Sequence, residues 1–202
     1  NTLVMQIDVC GFTKIAAERG RRGTAEFLTK TMGAIKHMVQ DEYGLWPYKF
    51  MGDGALVVWA EWDRHPDDPG QYQHAHDAAI GMIDCTRRLH ELARENGVKL
   101  RIGIAYDEVV WFDLNIEKEI DPNPLFEGCG QGLNRAARLE QYGAFKGTTA
   151  LAPEVVQLIH PEIPNPAPAA VGDFYYRGHV PEKHGKTIEV WLDGPIPDVV
   201  EE

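Results

Sequence analysis

Two aspartates of this 202-residue chain stand at turns beside apolar segments, and together they could hold a metal ion. Asp8 ends the apolar run TLVMQID, and Asp53 lies between two glycines in KFMGDGALVVW. If the first strand runs beside the hairpin that contains Asp53, both carboxylates meet at one end of a sheet. Two carboxylates this close repel each other, and a divalent cation relieves the repulsion. The pair indicates a candidate metal site, although either aspartate alone is typical of a turn or a helix cap.

The segment that follows Asp8 predicts a phosphate-binding helix start. In DVCGFT, a glycine precedes the first residues of a helical pattern, Phe12 and Thr13. The first backbone N–H groups of a helix have no partner within the helix and can bind phosphate oxygens. An anion site is therefore expected beside the candidate metal site.

A second polar pair lies in GLNRAARLEQYG, where Asn134 and Arg138 are one helical turn apart. Residues at this spacing share one face of a helix and can contact the same ligand. The alternative is a solvated polar face with a cap residue. The motif decides between these two interpretations only in combination with others.

The strands and helices that must position these residues follow from the hydrophobic pattern. Strands are predicted over residues 2–8, 45–50, 55–60, 98–106, 174–178 and 187–192. Helices are predicted after the turn at Gly11 and over residues 24–43, 75–95 and 132–143, the last with Ala136, Ala137 and Leu139 inside. Residues 109–120 read as an extended arm and 160–172 as a proline-rich loop.

The alternation of these elements lacks the strict rhythm of a doubly wound fold. It predicts an α+β, ferredoxin-like fold with an antiparallel-rich sheet covered by helices. The length fits one domain spanning residues 1–202. No internal repeat is visible.

Charge and composition exclude several classes of function. The formal net charge of -11 disfavours nucleic acid or an anionic membrane surface as the main partner. No apolar run is long enough to span a membrane, and the beginning of the chain has no signal-peptide pattern. Three cysteines at unrelated spacings fit reduced thiols and no structural zinc. A cytoplasmic location is therefore expected.

Four stretches in order along the chain, DVCGFT, KFMGDG, LRIGI and GQGLNRAARLE, resemble the catalytic core of class III nucleotidyl cyclases. The resemblance runs from about residue 3 to residue 192. It implies that Asp8 and Asp53 bind two Mn²⁺ or Mg²⁺ ions, with the backbone carbonyl of Val9 completing one site. In this family one ion helps to deprotonate the ribose 3′-hydroxyl, and both hold the triphosphate for in-line attack on the α-phosphate.

The same resemblance assigns roles to the other polar residues. Asn134 matches the residue that positions the ribose, and Arg138 the one that stabilises charge on the α-phosphate. Arg101 and Arg177 match cations that contact phosphate. Because one protomer of this family supplies the metal-binding aspartates and its partner supplies the Asn/Arg pair, a homodimer with two composite sites is implied.

Base recognition is implied for Lys49 and Glu127, and here the chain departs from the common pattern. Glu127 is longer than the usual aspartate, and Tyr48 and Phe50 add bulk beside Lys49. Strand alternation predicts that only one face of this segment points at the base. A further departure is AYD, residues 105–107, where the family usually has a His-x-Gly step.

These pocket departures are similar to those of stand-alone pyrimidine cyclases of bacterial antiphage defence, the Pycsar systems. That resemblance implies conversion of UTP, or in second place CTP, to its 3′,5′-cyclic nucleotide, usually with manganese, as a second messenger read by a separate effector. Lys49 donating to a carbonyl and Glu127 accepting from N3–H suit uracil better than cytosine, whose N3 is an acceptor. Adenylate cyclase activity is the alternative. A silent nucleotide-binding module and a metal-dependent phosphodiesterase or polymerase-like palm domain are the rivals from other classes.

Overall fold

The computed structural model describes residues 1–61, 72–114, 126–162, 170–182 and 186–194. Within these ranges the strands are β1 (Thr2–Val9), β2 (Trp46–Met51), β3 (Gly54–Ala60), β4 (Leu100–Asp107), β5 (Val109–Asp113), β6 (Phe126–Gly130), β7 (Thr148–Leu151), β8 (Ala170–Val171), β9 (Phe174–Pro181) and β10 (Thr187–Asp193). Eight of the described strands form one sheet in the order β2-β3-β1-β4-β7-β10-β9-β8. β5 and β6 pair separately as an antiparallel hairpin.

Strand β1 lies at the centre of the half of the sheet that carries the candidate site. It pairs antiparallel with β3 on one side and with β4 on the other. Consecutive residues of β1 are buried, from Thr2 to Met5, which means that both faces of the sheet are covered there. The residues at its end are therefore placed by pairing with two neighbouring strands.

Four α-helices are described, and they cover the sheet. They are α1 (Phe12–His37), α2 (Ala75–Glu95), α3 (Gln131–Arg138) and α4 (Pro153–Ile159). α1 consists of two helical arms that meet at Gly20, whose φ of 64° and ψ of 179° only glycine adopts readily. One-turn π-helical segments follow α1 at Met38–Glu42 and α3 at Leu139–Gly143.

The core lies between the sheet and the apolar faces of the helices. Helix α2 contributes buried side chains along its whole length, including Ala78, Ala79, Met82, Ile83 and Leu89. Among the helices of the described ranges, none is long and apolar enough to cross a membrane.

Most of the predicted elements are confirmed, and so is the α+β class with its antiparallel-rich sheet. The hairpin of β2 and β3, the long helix α2 and the closing strands β9 and β10 lie where the hydrophobic pattern placed them. The pattern missed β6, β7, β8 and α4, which are short.

Ala137 is exposed, so its predicted burial is wrong: α3 turns Ala136 and Leu139 toward the sheet. Parts of the predicted arm and proline-rich loop, 115–120 and 163–169, lie outside the described residues.

Candidate active site

The structure brings Asp8 and Asp53 together at one end of the sheet, as the sequence predicted. Asp8 lies opposite Gly54 of β3 in the pairing of β1 with β3. The backbone N–H of Val9 donates to the carbonyl oxygen of Asp53 at 3.3 Å, which ties the hairpin turn to the end of β1. Partial burial raises the pKa of Asp53, and the neighbouring Asp8 carboxylate raises it further. The charge of Asp8 therefore acts on the ionisation of Asp53, as expected for two carboxylates at the same end of the sheet.

Arg101 of β4 lies between Asp8, one of the two candidate metal ligands, and a third acid, Glu140. Its Nη2 donates to Oδ2 of Asp8 at 2.9 Å. Its Nε is 3.1 Å from Oε1 of Glu140, but the N–H does not point at that oxygen, so this contact is an ion pair without a hydrogen bond. In this state Arg101 offsets the charge of Asp8.

The donor set at this end of the sheet fits a divalent cation. Asp8, Asp53 and Glu140 outnumber the single guanidinium of Arg101 that lies among them, and oxygen donors of this kind suit Mg²⁺ and Mn²⁺. Among the described residues, no three His, Cys, Asp or Glu side chains are arranged to hold a metal. An ion here would thus be bound by the two aspartates, with backbone and substrate oxygens as its further ligands.

Glu140 is a buried acid that the sequence analysis did not single out. It lies in the π-helical turn after α3, and the residue is 8% exposed. Burial raises the pKa of its carboxyl to about 7, with Asp8 and Asp53 adding to the effect and Arg101 opposing it. The only sequence signal was its place at the end of NRAARLE.

Replacing Glu140 by glutamine is expected to stabilise the protein at high pH in metal-free buffer. In the unfolded chain this carboxyl ionises near 4.5, and in the folded protein near 7. The stability that the wild-type carboxyl contributes is therefore fully present below the lower value and is lost as the pH rises to the upper one. The neutral amide of the Glu140→Gln variant carries no such penalty, so its melting temperature should exceed that of the wild type by about 5 °C at pH 8 and by much less at pH 5.

Thermal unfolding at both pH values, with EDTA present, measures this difference. The exposed Glu95, near the end of α2, provides the matched control, because Glu95→Gln removes a carboxylate that is already in water. A melting-temperature gain for Glu140→Gln that is the same at pH 5 and pH 8 would contradict the assignment of a buried, late-ionising carboxyl.

Lys49 and Glu127, which the resemblance assigns to base recognition, are paired within one chain. Nζ of Lys49 donates to Oε1 of Glu127 at 3.1 Å. The hydroxyl of Tyr48 donates to Oε2 of the same carboxylate at 2.7 Å and accepts the N–H of Gly128 at 3.0 Å. The hydrogen bonds from Tyr48 and Lys49 lower the pKa of Glu127, that from Tyr48 most. Glu127 is thus an ionised acceptor beside a lysine that retains further N–H donors.

A β-bulge in β2 explains how neighbouring residues both reach Glu127. Pro47 pairs with Val57, but Lys49 pairs with Leu56, so Tyr48 is the extra residue. Strict alternation therefore does not hold in this segment: Tyr48 and Lys49 both reach the same carboxylate, and which face points at the base stays a prediction. Pro47 is tolerated because β2 is an edge strand of the described sheet, and bulges are common at such edges.

An aromatic cluster closes this region. The ring of Tyr48 lies 5.0 Å from that of Trp111 on β5 and 5.3 Å from that of Trp46, and the two tryptophan rings are 5.7 Å apart. A Cβ on Gly128 would come within 2.8 Å of Trp111, so any other residue there would displace the indole ring. Phe50 stays 39% exposed on β2. Trp111 was not recognised from the sequence, because its contact depends on the β5–β6 hairpin.

Asn134 and Arg138 project from α3 with local partners. The side-chain amide of Asn134 donates to the carbonyl of Gly130 at 3.0 Å. The guanidinium of Arg138 lies 5.5 Å from the centre of the Tyr142 ring, a cation–π contact. Arg177 donates to the backbone carbonyl of Tyr142 and lies over Phe145. Tyr142 thus joins the two arginines, and the phosphate role of Arg177 stays a prediction.

The remaining predicted residues lie at the start of α1. Gly11 has a left-handed conformation, with φ of 72°, and the first helical bonds run from Lys14 and Ile15 to its carbonyl. The N–H groups of Phe12 and Thr13 therefore precede the helical hydrogen bonds, as the phosphate-site prediction requires. The Phe12 ring stacks on Phe27 and contributes packing.

Comparison with known proteins gives strong similarity in structure but not in sequence. No protein-family model matches the chain, and no curated protein does. Among solved structures, the adenylyl cyclase CyaB from P. aeruginosa superposes with a TM-score of 0.71 at 19% identity, covering 98% of this chain and 95% of that one. The chain has the fold of a class III nucleotidyl cyclase catalytic domain. The superposition on solved cyclase structures thus confirms the fold that the four motifs implied.

Two guanylyl cyclase structures extend this comparison. The guanylate cyclase domain of RhGC from Catenaria anguillulae, in complex with GTP, has a TM-score of 0.71 at 17% identity over 95% of this chain and 94% of that one. The catalytic core of a rhodopsin-guanylyl cyclase with converted specificity, in complex with ATPαS, has a TM-score of 0.70 at 18% identity over 96% and 95%. Structures of this cyclase fold thus include complexes with different purine nucleotides.

Proposed function

We propose that this chain is a nucleotidyl cyclase, which converts a nucleoside triphosphate to its 3′,5′-cyclic nucleotide and pyrophosphate. The observation that carries the proposal is the pairing of Lys49 with Glu127 in a cyclase fold, at the positions assigned to base recognition. The same chain carries the acid pair and the Asn/Arg pair that the family uses. A silent module would be expected to have lost at least one of them.

The residues of the chain supply binding and charge for this reaction. Asn134 has an amide that can exchange the carbonyl of Gly130 for the ribose, and the guanidinium of Arg138 lies over the Tyr142 ring. A guanidinium stabilises the negative charge that develops on the α-phosphate during displacement of pyrophosphate. Two Mn²⁺ or Mg²⁺ ions at Asp8 and Asp53 would supply further positive charge and acidify the 3′-hydroxyl.

We further propose that the base is a pyrimidine, with UTP or CTP as substrate. Glu127 accepts hydrogen bonds and Lys49 donates them, which matches N3–H and a neighbouring carbonyl of uracil. The cluster of Tyr48, Trp46 and Trp111 fills space beside this pair, and the hydroxyl of Tyr48 is already engaged as donor and acceptor. A single ring therefore fits this pocket better than a purine.

Adenine is the second candidate, because the same pair of groups can read its edge. The exocyclic amine of adenine would donate to Glu127, and N1 would accept from Lys49. Hydrogen bonding does not distinguish adenine from the pyrimidines here, so the size of the pocket beside Tyr48 has to decide whether a two-ring base fits. Substrate assays must therefore include ATP.

The site is proposed to be completed by a second copy of this chain. Large apolar side chains stay exposed on β2 and around β5: Trp46, Phe50, Met51, Val110, Phe112 and Leu114. Their exposed fractions run from 39% to 54%, which is unusual for a group of such side chains on a monomer surface. One solved neighbour is described as a non-canonical dimeric guanylyl cyclase domain, and two others as monomeric guanylyl cyclase domains. A homodimer with two composite sites would bury this surface.

The cellular role proposed for the product rests on resemblance alone. A cyclic pyrimidine nucleotide would act as a second messenger in antiphage defence. A separate effector protein would bind it.

Incubation with each of ATP, GTP, CTP and UTP in the presence of Mn²⁺ tests the proposed function. Cyclic UMP or cyclic CMP and an equal amount of pyrophosphate are expected, with the purine triphosphates used at least about tenfold less efficiently. If ATP is the best substrate, the pyrimidine proposal fails and the cyclase proposal stands. If a folded dimer forms no cyclic product from any of the four, the cyclase proposal fails.

Replacing Tyr48 by alanine is expected to shift base preference toward ATP. The change removes the ring that limits the pocket, so the ratio of kcat/KM for ATP over UTP should rise by about tenfold or more. Tyr48→Phe is the matched control, because it keeps the ring and loses only the hydroxyl that binds Glu127. An equal shift in both variants would assign selectivity to the hydrogen bond and not to the size of the pocket.

A further inference from the structure

Arg135 occupies a distinctive place on the short helix that carries Asn134 and Arg138. It lies between them in sequence, on α3, but its side chain is only 13% exposed and points into the protein. Asn134 is exposed and Arg138 is half-buried. The helix therefore presents its candidate catalytic groups on one side and a buried guanidinium on another.

The guanidinium of Arg135 connects α3 to two other elements. Nη1 donates to Oδ2 of Asp107, the last residue of β4, at 2.8 Å. Nη1 and Nη2 each donate to one carboxylate oxygen of Glu154, in the first turn of α4, at 3.0 Å. Asp107 is itself fixed by the N–H of Glu108, which donates to its Oδ1 at 2.7 Å. Arg135 thus joins three elements through charge-assisted hydrogen bonds.

A second contact holds the same helix against β4 from a different direction. A Cβ on Gly103 would lie 2.3 Å from the carbonyl oxygen of Ala136 and 2.3 Å from the amide nitrogen of Glu140. The helix backbone therefore rests directly on the strand. This contact and the close approach of Gly132 to Val109, whose Cγ2 would lie 3.0 Å from a Cβ there, set the distance between α3 and the strands. Packing contacts are not directional, so they define the rotation of the helix about its axis less sharply than hydrogen bonds do.

Rotation of α3 about its axis would displace Asn134 and Arg138, because their functional groups lie several ångströms from that axis. A rotation of about 10° moves a group about 6 Å from a helix axis by about 1 Å. A misplacement of about 1 Å can lower the rate of an enzyme by about a hundredfold. The bonds of Arg135 to Asp107 and Glu154 resist this rotation, since a planar guanidinium binds both carboxylates only in one orientation.

We propose that Arg135 is a positioning residue, which sets the rotation of α3 through Asp107 and Glu154 and so aims Asn134 and Arg138. This inference rests on the proposed function for its effect on activity. It also gives a role to AYD, residues 105–107, where the chain departs from the usual His-x-Gly step. Asp107, the last residue of this stretch, binds Arg135 and so anchors α3 to β4.

Arg135→Lys tests the proposal while keeping the charge. A lysine cannot bind Asp107 and both oxygens of Glu154 together. The expected result is a fall in kcat of about tenfold to a hundredfold with KM for the triphosphate changed less than about threefold, because α3 acts on the reacting groups more than on ground-state binding. Amide hydrogen exchange of residues 131–138, measured without nucleotide, should become faster.

Arg87→Lys, on α2, is the matched control. Arg87 forms the same kind of fork, from α2 to Asp193 of β10 at 2.7 and 2.9 Å and to Asp173 at 3.3 Å. Its replacement should lower the melting temperature but leave kcat and the exchange of residues 131–138 unchanged. Equal losses of kcat in both variants would show general destabilisation and overturn the proposal.

Failure of the positioning role of Arg135 and failure of the proposed function give different results. If Arg135→Lys keeps wild-type kcat and wild-type exchange in α3, the positioning role is wrong although the enzyme is active. If the wild type forms no cyclic product, the proposed function fails, and the exchange measurement still decides whether Arg135 fixes the helix: faster exchange supports that role, and unchanged exchange overturns it.

Discussion

Replacing Asp53 by asparagine is expected to abolish cyclic nucleotide formation, lowering kcat by at least about a thousandfold, or about 4 kcal/mol. Asparagine keeps the size of the side chain and the hairpin turn at Gly52, which has φ of 65°. It removes one of the two carboxylates that meet at the end of β1. The loss therefore reports on charge at the candidate metal site and not on the fold.

The measurement pairs the rate of product formation with direct binding of Mn²⁺ by electron paramagnetic resonance. Asp53→Asn should bind the ion more weakly and melt no lower than the wild type, since burial already disfavours the ionised form of this carboxyl. Glu95→Gln on α2 serves as the control for loss of one acidic charge. Retained activity in Asp53→Asn would refute the assigned role of this aspartate.

The convergence of Asp8 and Asp53 could be predicted from the sequence, because it depends on local patterns. Each aspartate follows or precedes an apolar strand at a turn, and antiparallel pairing of those strands brings the turns together. The helix with Asn134 and Arg138 was predictable for the same reason. Its order relative to the other motifs then indicated the cyclase fold.

Contacts between distant elements could not be predicted in this way. The bulge that turns Tyr48 toward Glu127 is set by the pairing of β2 with β3, and only Pro47 in the strand gave a hint of it. Trp111 joins the pocket through the β5–β6 hairpin. Periodicity identifies which residues are inside an element, but it does not identify their partners.

Glu140 and Arg135 show the same limit for charged residues. A helix pattern marks both as polar positions of α3 and the turn after it, where a solvated face is the usual interpretation. Their burial follows from the close approach of α3 to β4 at Gly103. In a buried setting each charge must find partners, and these turn out to be residues of β4 and α4 rather than neighbours on the same helix.

Complementation between two inactive variants is the second large effect expected. Asp53→Ala damages the acid pair, and Arg138→Ala damages the helix that the partner protomer would supply. If sites are composite, a heterodimer of the two keeps one undamaged site. An equimolar mixture with free subunit exchange should then recover about one quarter of wild-type activity, since about half of the dimers are mixed and each has one working site.

The arrangement of the two substitutions provides the control for this experiment. When Asp53→Ala and Arg138→Ala are placed in the same chain and mixed with wild-type protein, each site of the heterodimer contains one damaged half. Excess double variant should therefore suppress wild-type activity almost completely, whereas excess Asp53→Ala alone should leave one working site in each mixed dimer. The same residual activity with either variant in excess, with subunit exchange demonstrated, would contradict composite sites: it would mean that Asp8, Asp53, Asn134 and Arg138 act within a single chain.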